Sequence, residues 1–225
     1  MRILFIHGFG ENETIFSKIS PFIPGEHVFL NIWSILGDVP RTNINVLDFA
    51  KEVVQKFKIT QNDVIIGHSM GGWIAYHIKH LTCSPIVQIA SWTDPDRPFT
   101  PIKNVKLSYW IVRNGLLFNH FFIRLLILKG YEGKPSKDIY QEIFEGMIKS
   151  NRENLINQLR LILTPVSEKI IAIPDLRIHA QVDLVVRRPR ESFHEVVGDH
   201  FTLYTHPEAV YVPILAFLEK NTHLK

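Results

Sequence analysis

Short apolar runs alternate along this chain with stretches in which apolar residues return every three or four positions. The first run, Arg2 to Ile6, reads as a strand. Asn12 is then a candidate cap for a helix with Ile15, Phe16 and Ile19 on one face, closed by Pro21. His27 to Ile32 reads as a second strand, and Asn43 or Asn45 can cap a helix marked by Leu47, Ala50, Val54 and Phe57. Asp63 opens a third run, Val64-Ile65-Ile66, and Gly71, Ile74, Ala75 and Ile78 keep helical step after Ser69. Pro85 to Ala90 is a fourth strand. Strands alternating with amphipathic helices predict an α/β fold, a mostly parallel sheet with helices on both faces.

From Thr93 to Pro165 the alternation stops. A breaker-rich entry, Asp94-Pro95-Asp96-Arg97-Pro98, leads into helical patterns. Ser136 stands ahead of Ile139, Ile143 and Met147, and Ser150 with Glu153 forms a capping box ahead of Leu155, Ile156, Leu159 and Ile162. Residues 93–165 therefore read as a helical cap inserted into a core made of residues 1–92 and 166–225. Strands resume at Asp175 to Ala180 and Phe193 to Val197, which brings the sheet to about six. A last helix follows with Thr205 and Glu208 as a capping box, and Pro213 either kinks it or marks its start.

Composition narrows this picture little. A chain of 225 residues suits one domain with an insertion, and 46% hydrophobic with 21% charged residues is globular rather than disordered. A net charge of +3 predicts no nucleic-acid partner, and Arg187, Arg188 and Arg190 read as a solvated loop. Cys83 is the single cysteine, so no internal disulfide forms and a cytoplasmic location is the expectation. The N-terminal run does not have the form of a signal peptide. Gly115 to Leu128 is the most apolar stretch, but His120 and Arg124 interrupt it and it is too short for a transmembrane segment. Contact with a membrane surface stays open.

The chemistry centres on Gly67-His68-Ser69-Met70-Gly71, which lies between a strand and a helix as a nucleophile elbow does. A serine hydroxyl needs an imidazole to take its proton and a carboxylate to orient that imidazole. In a parallel sheet, residues just past the carboxyl ends of strands converge on one edge. Ser69, Asp183 and His200 all have such positions, in the chain order this topology favours. His206, inside the last capping box, is the rival base, and Asp94 is the rival acid. His68 flanks the serine and is expected to point away, while His7 is expected to fix its own loop. Backbone N–H groups of Phe9 and Met70 are candidates for an oxyanion hole. Trp92, Phe118 and Phe122 are candidates for binding substrate. The eleven histidines show no ligand spacing, so neither metal nor cofactor is expected.

Four motifs together, His7-Gly8-Phe9-Gly10, GHSMGG at 67–72, IHAQVDLVV at 178–186 and GDHFTL at 198–203, resemble the α/β-hydrolase superfamily. The resemblance covers nearly the whole chain, with residues 93–165 at the usual place of a helical cap. It implies a catalytic triad of Ser69, Asp183 and His200, with Phe9 and Met70 as oxyanion residues, acting as a serine esterase or thioesterase on a small, largely apolar substrate. A lyase or acyltransferase using the same triad, or a small-molecule sensor that keeps the pocket, are the alternatives, and any protein partner is open. The first two strands of larger members are absent, Ala180 stands where glycine is common, and Trp33 to Asp38 lacks a Gly-His-Gly type of turn.

Overall fold

A computed structural model describes residues 1–100, 102 and 104–221 of the chain. Its six strands are β1 (Arg2–Ile6), β2 (Glu26–Leu30), β3 (Val64–His68), β4 (Ile86–Ile89), β5 (Leu176–Ala180) and β6 (His194–Val196). All pair in parallel, in the order β2-β1-β3-β4-β5-β6. In β1 the period of two is visible directly: Ile3 and Phe5 enter one core layer, Leu4 and Ile6 the other. β3 and β4 are buried along their full lengths, as parallel strands covered on both faces must be.

One face is covered by α2 (Val46–Phe57) and α3 (Met70–Thr82), which bring Phe49, Ala50, Val53 and Ile74 onto Leu4, Ile6 and Ile65. Asn45, not Asn43, caps α2, its side chain accepting from the N–H groups of Leu47 and Asp48. The other face is covered by α9 (Pro207–Lys220), whose Val210, Ile214 and Leu218 meet Ile3, Phe5 and Ile66. The helix expected after Asn12 is instead two 3₁₀ turns, Glu13–Phe16 and Ser20–Phe22. Their i to i+3 bonds turn Ile15, Phe16 and Ile19 into the core before Pro21, where an α-helix would have spread them over more length. β2 stops at Leu30 because Asn31 caps the short α1 (Ile32–Leu36).

Between β4 and β5 come α4 (Val105–Arg113), α5 (His120–Gly130), α6 (Lys137–Lys149) and α7 (Arg152–Leu163). α4, α6 and α7, with Phe118 from the segment before α5, share a small core of Val112, Phe118, Met147, Leu155 and Ile156. Two expected caps are differently used. Asn151 caps α7, while the Ser150 hydroxyl donates back to Gly146 O at 2.8 Å. The Ser136 hydroxyl donates to the Asp199 carboxylate instead of capping α6. At the C-terminal end Thr205 closes α8 (Thr202–Thr205), and α9 begins at Pro207 with Pro213 inside it. A proline at the first position needs no capped N–H, which makes a Thr205 cap unnecessary. Among the described residues no helix is long and apolar enough to cross a membrane.

Candidate active site

Ser69 sits between β3 and α3 with φ 51° and ψ −121°, a backbone conformation that costs about 1–3 kcal/mol in a non-glycine residue. Hydrogen bonds hold it there. Ser69 N–H donates to Ile89 O at 2.9 Å, and Ser69 O accepts from the Ser91 hydroxyl at 2.7 Å and from Gly72 N–H at 3.0 Å. The flanking glycines are required by approach. A Cβ on Gly71 would lie 1.8 Å from Ile6 O, and one on Gly67 would lie 2.4 Å from Gly72 N. Strand and helix are thus closer than any side chain would allow, and the serine projects at the sheet edge.

His200, in the loop after β6, brings Nε2 to 3.0 Å from Ser69 Oγ. Its Nδ1 lies 2.8 Å from Asp183 Oδ2, in the loop after β5. The other carboxylate oxygen, Oδ1, accepts from Val185 N–H at 2.7 Å and Val186 N–H at 2.8 Å. With Nδ1–H donating to the carboxylate, the Nε2 lone pair faces the hydroxyl. Burial disfavours charge on both groups, but each more than offsets it for the other. Asp183 stays below the ordinary carboxylate range, and His200 is held above that of a free imidazole, with Glu11 and Asp199 adding to the effect.

The rival residues have other partners. Asp94 accepts from Asp96 N–H at 3.0 Å and pairs with Arg97 and Arg190. His206 Nδ1 meets the Thr205 hydroxyl at 2.9 Å. His7 does hold its loop, with Nδ1 2.9 Å from Gly8 O and Nε2 accepting from Ile32 N–H at 3.3 Å.

Glu11 is the residue the sequence reading passed over. Fully buried, it accepts from Gly8 N–H at 2.7 Å and lies 2.8 Å from His68 Nδ1, while His68 Nε2 lies 2.9 Å from His200 O. Both ring nitrogens of His68 thus lie within hydrogen-bond distance of an oxygen. Burial works against the Glu11 carboxylate, yet its partners hold it below the ordinary range. One side chain thus ties the first loop to the residue before the serine and, through it, to the histidine loop. The available signal was an acid directly after HGFG, in a segment otherwise bound for the core.

Gly8, Gly10 and Glu11 N–H groups are all engaged, Gly10 by the Gln158 side chain at 2.9 Å. Among the described residues no protein acceptor pairs with Phe9 N–H. Met70 N–H opens α3 and has no carbonyl four residues back to meet.

Ser69 and Phe9 open into a cavity of about 230 Å³. Its walls are almost entirely apolar: Trp92, Phe99, Ile111, Val112, Leu159 and Val186 are among them. Phe118 does not line it but packs behind Phe9, ring centroids 6.0 Å apart, and Phe122 lies on the first turn of α5, also outside the walls. Glu11, His68 and His200 are the one grouping among the described residues with potential metal-ligand atoms within 4.8 Å of one another. Each is already engaged in the hydrogen bonds above.

No protein-family model and no curated protein sequence matches the chain. Solved structures do. An enol-lactonase from Burkholderia xenovorans is 12% identical, with TM-score 0.75, over 97% of this chain and 91% of that one. A hydrolase from Oleispira antarctica is 12% identical, with TM-score 0.71, over 97% and 90%. A thermophilic esterase from Thermogutta terrifontis is 17% identical, with TM-score 0.70, over 98% and 90%. With the sheet order, the strained turn at Ser69 and these likenesses together, the chain has the α/β-hydrolase fold.

Proposed function

We propose that the protein is a serine hydrolase that cleaves a small, largely apolar carboxylic ester or thioester through an acyl-enzyme on Ser69. The observation that carries this reading is the continuous chain Ser69 Oγ, His200 Nε2, His200 Nδ1, Asp183 Oδ2, with links of 3.0 and 2.8 Å, at the floor of an apolar cavity. Ser69 Oγ attacks the acyl carbon as its proton passes to His200 Nε2. The carbonyl oxygen becomes an oxyanion that accepts from Phe9 and Met70 N–H groups. His200 then protonates the leaving alcohol or thiol. Water, deprotonated by the same Nε2, attacks the acyl carbon; the bond from that carbon to Ser69 Oγ breaks, Oγ takes the proton back from Nε2, and the acid leaves. Asp183 keeps the imidazole in the tautomer this sequence needs.

The esterase and enol-lactonase among the structural neighbours support an ester-type bond. A cavity of about 230 Å³ supports a short acyl group. Residues 93–165 serve as the cap over that cavity in this reading, since α4 and α7 supply much of its wall. The test is fluorophosphonate labelling followed by intact mass. The wild type is expected to gain one adduct and Ser69→Ala none. Equal labelling of both, or none of a folded wild type, overturns the proposal.

A further inference from the structure

The outer face of α5 carries a stripe of exposed apolar residues. Ile123 and Ile127 point inward and are buried. Phe121, Leu125 and Leu128, at steps of four and three, stand on the opposite side with 81%, 39% and 55% of their surface exposed. Exposed single apolar residues are ordinary, but three on one stripe of a single eleven-residue helix are not. Arg124 lies within the stripe and Lys129 beside its end, and neither has an ion-pair partner among the described residues. The surrounding sequence deepens the asymmetry. Between Asp96 and Glu132 there is no Asp or Glu, whereas Arg97, Lys103, Lys106, Arg113, Arg124 and Lys129 all fall there. α4 repeats the theme with exposed Leu107 and Trp110 between Lys106 and Arg113.

We infer that α5 docks this protein onto the surface of an anionic phospholipid membrane. Phe121, Leu125 and Leu128 would enter the headgroup and acyl boundary, and Arg124 and Lys129 would meet lipid phosphates. Charge decides between this occupant and a second copy of the chain. Two α5 faces brought together would set Arg124 and Lys129 against their own copies, since α5 itself carries no acid, while an anionic surface relieves both the apolar exposure and the charge. The inference stands apart from the hydrolase reading, because it uses none of the groups near Ser69.

The test is co-sedimentation of the whole protein with vesicles of phosphatidylcholine containing phosphatidylglycerol, against vesicles of phosphatidylcholine alone. Binding to the anionic vesicles only, weakening as salt rises, is the expected result. The pair Phe121→Ser with Leu125→Ser, and separately Arg124→Glu with Lys129→Glu, should each weaken it about tenfold or more. Circular dichroism and Ser69 labelling in solution should stay unchanged, which keeps failure of docking distinct from failure of the fold or the chemistry. No retention by anionic vesicles, or equal retention by both kinds, overturns the inference. So does a concentration-dependent dimer that both pairs of substitutions abolish, since that assigns the face to a second copy.

Discussion

The carboxyl edge of the sheet and the helices between β4 and β5 face each other across one cavity, yet they are held by different physics. At the edge, backbone groups are fixed by buried polar contacts. Ser69 N–H and O, both Asp183 oxygens, and Gly8 and Gly10 N–H groups all have partners at 2.7 to 3.0 Å. In the insert, α6 and α7 are tied down: Met147 fills the space over Gly10, Gln158 binds Gly10 N–H, and Asn154 donates to Trp33 O and Gly37 O. α5 has two fully buried residues, Ile123 and Ile127, and shows Phe121, Leu125 and Leu128 to solvent. Positional demands fall from the edge outward. Chemistry needs atoms held to fractions of an ångström, whereas an apolar wall or a docking face needs only the right surface.

The sharpest way to break this comparison is at the edge. Asp183→Asn should lower turnover by about 10³- to 10⁴-fold through loss of the imidazole's tautomer and charge partner. It should also lower the pH at which activity rises, because Asp183 helps hold His200 above its ordinary range. Asp94→Asn, which removes a carboxylate paired with Arg97 and Arg190 and not with His200, should leave turnover within about a factor of two. A reversed outcome for the two asparagines would move the acid to the loop after β4.

Glu11→Ala comes next. It leaves Gly8 N–H and the His68 ring without their buried partner, and each buried polar group left unpaired costs about 1–3 kcal/mol. Urea unfolding measures it. Glu11→Gln, which keeps an oxygen for Gly8, should cost less. A loss below about 1 kcal/mol for the alanine variant would show that the first loop is held by the insert alone.

These residues also mark where sequence was legible and where it was not. The sheet could be read because β1, β3 and β4 are mostly apolar runs and the remaining strands keep the alternation with helices, and the places of Ser69, Asp183 and His200 follow from where strands end. Glu11 could not be read, since its role depends on the approach of residues 57 and 189 positions later. The insert's caps misled for a related reason. Ser136 and Ser150 fit local capping rules, but Asp199 gives Ser136 a tertiary partner, and Asn151 outcompetes its neighbour as a cap. Phe118 and Phe122 were apolar residues in the right segment, and periodicity does not say which side of a helix pair will face the cavity.

A smaller effect separates core from insert by pH. His77, in α3, donates to Trp73 O at 2.9 Å and is pushed down to about 4 by burial, which outweighs that hydrogen bond. The unfolded chain takes up this proton near 6.5 and the folded chain only near 4, so the unfolded state binds more protons between those values. Stability from this residue is therefore present above pH 6.5 and lost as pH falls toward 4, by about 3 kcal/mol at most. His77→Gln should flatten the unfolding profile in that window. An unchanged slope would assign the acid sensitivity to His7 and His179, which burial also holds low.

The smallest expected effect falls on α5. Phe121→Ser removes a side chain that is 81% exposed, so little burial is lost and thermal stability should stay within about 0.5 kcal/mol. Ile127→Ala, two turns on and pointing inward, should cost about 2 kcal/mol or more, because it opens a void against α6. A large loss at Phe121 would mean that its ring packs against protein in solution, and α5 would then belong with the fixed edge. A near-zero loss leaves an aromatic side chain held in water with no folding benefit. With Leu125 and Leu128 on the same stripe, that ring then belongs to a surface free to dock rather than to the core.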